Sequence, residues 1–152
     1  MKASERLEQL GLTLPAAASP VANYVPANRS GQQIYTSGQL PFQEGKVAYT
    51  GKVPSDVPLE KAAAAARLAM LNAVAAAACV AGGVDRIERV VRVCVFVNSA
   101  AGFFEQPKVA NGASDLLVQI FGEAGRHARS AVGVAELPLN AAVEVELVVE
   151  AP

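Results

Sequence analysis

Residues 87–97 read IERVVRVCVFV, and this stretch decides the fold. It is β-branched almost throughout, which favours a pleated backbone over a helix. One parity holds Val91, Val93, Val95 and Val97, and the other holds Val90, Cys94 and Phe96. Both faces are apolar in the second half. The segment therefore reads as an interior strand, with helices on one side and a further layer, such as another subunit, on the other.

Outward from it, residues 55–81 predict a helix. Ser55 or Asp56 can cap it, Pro58 suits its first turn, and Gly82-Gly83 ends it. Leu68, Leu71, Val74 and Ala78 fall at helical spacing and are expected to face the core, while the many alanines permit close approach. A second helix is expected within residues 103–122, carried by Val109, Leu116, Leu117 and Ile120, with Asn111-Gly112 shifting its start toward Ser114. Residues 128–135 and 142–149 read as the last two strands. Two short strands are expected in residues 21–40, around a turn at 28–31, and a third in residues 46–50. Residues 1–20 read as an arm with a short helix from Ser4 to Leu10. The order is that of an α+β fold, a mixed sheet with two helices on one face, in a single domain over residues 21–152.

Composition narrows the function. The chain has 152 residues, is 52% hydrophobic and 18% charged, and carries a net charge of −1. That balance lacks the basic surplus of a nucleic-acid binder. The Ala-rich helix is interrupted by Lys61, Arg67 and Asn72, which argues against a membrane span. The charged N-terminus does not read as a secretion signal, and a cytoplasmic location is expected. Cys79 and Cys94 read as reduced core residues. With one histidine and two cysteines, no metal site is expected.

The last two strands are expected to form a hairpin joined by Leu137-Pro138-Leu139-Asn140, and parity then has a consequence. Val132 and Val134 share one face, with Arg129, Ala131 and Gly133 on the other. Val143, Val145 and Leu147 likewise oppose Glu144 and Glu146. Joining the valine rows brings Arg129 beside Glu144 or Glu146, and small Ala131 and Gly133 beside them are expected to leave open space. Such a pair is either a surface salt bridge or a pocket, in which Arg129 grips a carboxylate by two prongs and a glutamate positions water. The enzymatic reading rests on that juxtaposition. Thr36-Ser37-Gly38-Gln39, where glycine lets a ligand approach the backbone, and Tyr24 are further candidates for pocket walls. His127 has no serine–histidine–acid spacing and reads as a contact residue.

Tyr35-Thr36-Ser37-Gly38-Gln39-Leu40-Pro41, the strand at residues 90–97, Ala128-Arg129-Ser130, Leu137-Pro138 and Val143-Glu144-Val145-Glu146 together resemble the RidA/YjgF family, also described as endoribonuclease L-PSP-like. The resemblance implies a chorismate-mutase-like fold and a homotrimer with clefts between subunits. It implies hydrolytic deamination of reactive enamines and imines of the 2-aminoacrylate type to 2-keto acids and ammonia, without cofactor or metal. By position, Arg129 matches the family's carboxylate-binding arginine and Glu144 its water-associated glutamate, while Tyr24, Ser37 and Gly38 match cleft-lining positions. The family's Asn near the start of the second helix has no clean counterpart, and Asn111 and Ser114 are the two residues available for it. Ala131 stands where some members carry cysteine. The competing readings are a non-catalytic trimer that binds small carboxylates in a regulatory role and, ranked lower, an endoribonuclease or translation inhibitor.

Overall fold

A computed structural model describes residues 1–16 and 22–152. Its strands are β1 (Ala27–Ser30), β2 (Gln33–Thr36), β3 (Phe42–Gln43), β4 (Lys46–Val47), β5 (Arg89–Asn98), β6 (Ala128–Val134) and β7 (Val143–Glu150). Its helices are α1 (Ala3–Gln9), α2 (Leu59–Ala81) and α3 (Gln106–Phe121). A five-stranded sheet runs β1-β2-β7-β5-β6, and β3 and β4 form a separate ribbon. β5 and β6 are parallel, and the other neighbours are antiparallel. α2 packs over β2 and β7, and α3 over β5 and β6. This is the expected α+β architecture, a mixed sheet with the two long helices on one face.

The expected hairpin between the last two strands does not form, because β5 lies between β6 and β7. A helix joining β5 to β6 is the connection that parallel strands require. β5, apolar toward both sides, takes the interior position and satisfies its backbone groups on both edges. β6 is left at the rim. A bulge in β5 between Val90 and Arg92 also corrects the parity read from its sequence. Val90 and Val93 are both fully buried, while Val91 is not in their row.

The packing face of α2 differs from expectation. Ala62, Ala65, Ala66, Ala69, Met70, Ala73, Val74 and Ala77 are fully buried, whereas Leu68 and Leu71 lie at the flank, half-buried. Alanine facing the core brings the helix axis close to the sheet, and the larger leucines close the seam at the side. Asp56 does not cap this helix. Its carboxylate accepts the Lys52 N–H at 2.8 Å and closes the preceding turn, and Pro58 stands at the N-cap. α2 is also long and apolar enough to cross a membrane by length and composition, but 56% of its most apolar window is buried within the protein.

α3 begins at Gln106 rather than near Ser114, and runs straight through Asn111-Gly112. Gly112 is where α3 crosses α2: a Cβ there would run into the Ala63 carbonyl oxygen. The residue that looked like a helix breaker is a close-packing device. Cys79 is exposed and Cys94 is half-buried, so neither is the core residue expected. Ser4 does not cap α1; it lies within the helix and bonds Asp85 through its backbone N–H (2.9 Å) and its hydroxyl (2.6 Å). Leu12 and Leu14 of the expected arm pack on the core, and residues 17–21 of the arm and first strand segment lie outside the described residues.

The crossing at Gly112 carries a test whose sign is informative. Helix propensity alone favours Gly112→Ala by about 1 kcal/mol. Overpacking against backbone costs about 1–3 kcal/mol, which is expected to win. Denaturant unfolding should therefore show a lower midpoint for Gly112→Ala, and a raised midpoint would refute the close crossing.

Candidate active site

The candidate residues gather into two groups. The first surrounds Glu144. β2 pairs with β7 up to Tyr35 opposite Val148, and pairing resumes at Gln39 opposite Val145 with a one-residue slip. In the gap, the Thr36 hydroxyl accepts the Leu147 N–H at 3.0 Å, which keeps that buried donor satisfied. The bulged segment places Gly38 under the Glu144 carboxylate, so closely that a Cβ would strike Oε1. Ser37 donates its hydroxyl to the Val25 carbonyl at 2.6 Å, and its N–H donates to the Pro26 carbonyl at 2.7 Å. These bonds hold the segment after Tyr24 against the sheet. Tyr24 itself is 57% exposed. Tyr24, Ser37, Gly38 and Glu144 thus belong to one neighbourhood.

Glu144 points to the sheet face that carries no helix. Phe96 sits across from it on β5, and Glu146 follows two residues on, on the same face. Burial pushes the Glu144 carboxyl above its ordinary value, with repulsion from Glu146 second. Among the described residues no cation lies within salt-bridge distance of it. Tyr35, Phe96, Val132, Val134 and Val148 share this open face, and Tyr35 and Val132 are 46% and 45% exposed.

The second group surrounds Arg129. In register, Arg129 stands beside Val93, which stands beside Leu147, so Arg129 is on the helix-covered face. Pro107, Asn111 and Ser114 are spaced four and three residues apart on α3 and form one stripe. Arg129 Nη1 donates to Asn111 Oδ1 at 2.9 Å and to Ser114 Oγ at 3.2 Å, and Nη2 donates to the Pro107 carbonyl at 3.4 Å. All three acceptors are neutral, and among the described residues no carboxylate pairs with Arg129. A guanidinium has five N–H donors, so Nε and one hydrogen on Nη2 remain, the edge that a carboxylate takes in two-pronged fashion.

The expected meeting of Arg129 with Glu144 or Glu146 is therefore corrected. In one chain they lie on opposite faces of the sheet, with β5 between their strands. The inference failed because it placed the valines of β6 with those of β7. The helix face of β6 must instead be small: a Cβ on Gly133 would meet Gln106 and Ser99. That turns Val132 and Val134 outward. The sequence reading also missed that Ser114 Oγ bonds His127 Nε2 at 2.8 Å. Helical spacing of Asn111 and Ser114 was the available signal, hidden by the assumed break at Asn111-Gly112. Among the described residues, no group of three His, Cys, Asp or Glu side chains could hold a metal ion.

Comparison with known proteins bears on this geometry. Residues 4–151 match the family model described as "YjgF/chorismate mutase-like, putative endoribonuclease". Protein TCP17 of Trypanosoma cruzi is 48% identical, over 98% of this chain and 94% of its own length. A 2-iminobutanoate/2-iminopropanoate deaminase of Dermatophagoides farinae is 30% identical, over 91% of this chain and 93% of its own. A crystal structure of a Shewanella oneidensis protein, titled in the same endoribonuclease terms, superposes with a TM-score of 0.94 at 40% identity and covers 99% of both chains. A match across nearly the whole chain, on the fold described above, shows that this protein belongs to the RidA/YjgF family, with its chorismate-mutase-like fold.

Proposed function

We propose that the protein is a hydrolytic deaminase of small imines and enamines bearing a carboxylate, acting at a site assembled between two copies of the chain. The observation that carries this reading is a pair of unpaired, opposite charges on different surfaces of one chain. Arg129 keeps two donors free at the β6 rim, and Glu144 is half-buried without a cation on the open face. Neither completes a site alone. A contact that joins two different surfaces is heterologous, and such contacts form a ring when the rotation closes and an open filament when it does not. A homotrimer is the ring proposed, and the apolar residues of the open face supply area for it to bury. The deaminase named among the relatives supports the chemistry at family level.

In this site Arg129 fixes the substrate carboxylate through Nε and Nη2. Glu144 of a neighbouring copy orients a water toward the imine carbon and takes its proton as the C–O bond forms. The carboxyl returns that proton to the nitrogen, giving the neutral carbinolamine. It then takes the carbinolamine hydroxyl proton as the C=O bond forms and the C–N bond breaks, and passes it to the departing nitrogen, giving ammonia and a 2-keto acid. Backbone groups at Gly38 hold the nitrogen, and the imine carbon is already electrophilic, so orientation is most of the task.

Coupling the protein to a lyase that releases 2-aminoacrylate from serine measures this directly. Arg129→Ala should mainly raise KM, and Glu144→Gln should lower kcat by about 10²–10⁴-fold. At a substrate concentration well below the KM of Arg129→Ala, equal mixing of the two variants, with subunit exchange, should restore about one quarter of the wild-type rate, because a random quarter of cross-subunit sites is intact. A site within one chain would recover nothing. Keto-acid binding that needs Arg129 but not Glu144, with no turnover in the wild type, would instead establish a carboxylate-binding module.

The raised Glu144 carboxyl sets a pH dependence. The water-activating form is the carboxylate, so activity should be low at acid pH and rise as Glu144 ionises; burial moves that limb up in pH, and a neighbouring Arg129 in the assembled site moves it back down. Glu144→Gln should remove that limb from the pH–rate profile of kcat/KM.

A further inference from the structure

Beyond the two groups above, one polar chain has no assigned role. His127 Nδ1 lies 2.6 Å from the Gly125 carbonyl oxygen, and Nε2 lies 2.8 Å from Ser114 Oγ. A carbonyl only accepts, so Nδ1 carries the proton in the neutral ring and Nε2 is an acceptor. Ser114 must then donate its hydroxyl hydrogen to His127. This leaves the Ser114 lone pairs directed to Arg129 Nη1, 3.2 Å away. The chain starts from a fixed point. Gly125 is buried against α3 so tightly that a Cβ would strike the Leu117 carbonyl oxygen. Each link therefore sets the donor–acceptor direction of the next: Gly125, His127, Ser114, Arg129.

We propose that Ser114 and His127 are positioning residues that lock the Arg129 guanidinium with its Nε–Nη2 edge free, and that His127 acts only through Ser114. The proposal rests on the reading of Arg129 as the carboxylate-binding residue. A serine beside a histidine has the atoms of a nucleophile and base. Here, however, the serine oxygen sits mid-helix and already accepts from an arginine, so its lone pairs are committed to holding a cation. Asn111 Oδ1 and the Pro107 carbonyl hold Nη1 and Nη2 at one point each; the helix backbone orients the carbonyl, while the Asn111 amide makes no further hydrogen bond among the described residues. A lone long side chain at a sheet rim has rotamer freedom to lose on binding, and fixing it beforehand lowers that cost.

Two readouts test this on the full chain. The first is the guanidinium ¹⁵N–¹H spectrum of Arg129, which needs no ligand. Wild type should show hindered rotation with separate Nη signals. Ser114→Ala and His127→Ala should average them, and Ser114→Thr, which keeps the hydroxyl, should restore the separation. The second is calorimetry with 2-oxobutanoate as a carboxylate probe. Ser114→Ala should weaken binding about tenfold, raising KM with kcat within about twofold. His127→Ala added to Ser114→Ala should weaken it no further. Arg129 signals unchanged in Ser114→Ala, or an additive double variant, would overturn the proposal. If instead Arg129→Ala binds 2-oxobutanoate like the wild type, the carboxylate reading of Arg129 falls, and this inference with it, whatever the spectrum shows.

Discussion

The placement of β5 between β6 and β7 is the constraint on which the rest of the structure depends. A strand apolar on both faces is most stable in the interior, where both of its edges are hydrogen-bonded and one face is covered by helices. Once β5 is there, α3 must carry the chain across to a parallel neighbour, and β6 becomes the rim. Arg129 then falls on the helix side of the sheet and Glu144 on the open side. One topological choice thus separates the two charges that the chemistry would use together.

Close approach is the second theme, and it is written in small residues. Gly112 admits α2, Gly125 in the turn after α3 admits the α3 backbone at Leu117, Gly133 admits the Gln106 side chain at the start of α3, and Gly38 admits the Glu144 carboxylate. The alanine face of α2 does the same on a larger scale. Because these positions are filled by neighbouring atoms, they work as contacts and do not open space. The expectation that Ala131 and Gly133 leave a gap for a ligand fails for this reason. In the site proposed, space for a ligand is instead set by what Arg129 and Glu144 leave unpaired.

Arg129 and Glu144 differ in electrostatic character. Arg129 is held by three neutral acceptors, so its charge is oriented but not cancelled. Glu144 has no ionic partner among the described residues, and burial followed by repulsion from Glu146 raises its carboxyl above the ordinary value. Bringing such a pair together across an interface stabilises both, since the cation supports the carboxylate and the carboxylate offsets desolvation of the cation. Assembly and the readiness of the site for catalysis would then be coupled through the same two residues.

Local patterning determined by itself the order of the long elements, the existence of α2 and its end at Gly82, the existence of β5, β6 and β7, and the α+β class. Each of these follows from periodicity, caps and breakers within a few turns of chain. The motif blocks around Gly38, Arg129 and Glu144 also sufficed to place the chain in its family. Tertiary structure alone decided which strands became neighbours, and therefore which face each side chain took. Alternation says which residues share a face of one strand, but not which face of the sheet that is. Only packing answers that: the Gln106 and Ser99 side chains over Gly133 turned the β6 valines outward and Arg129 inward. The Ser114–His127 contact was invisible for a related reason. It joins a helix to the residue before a strand, and its geometry exists only once the turn at Gly125 has closed against α3.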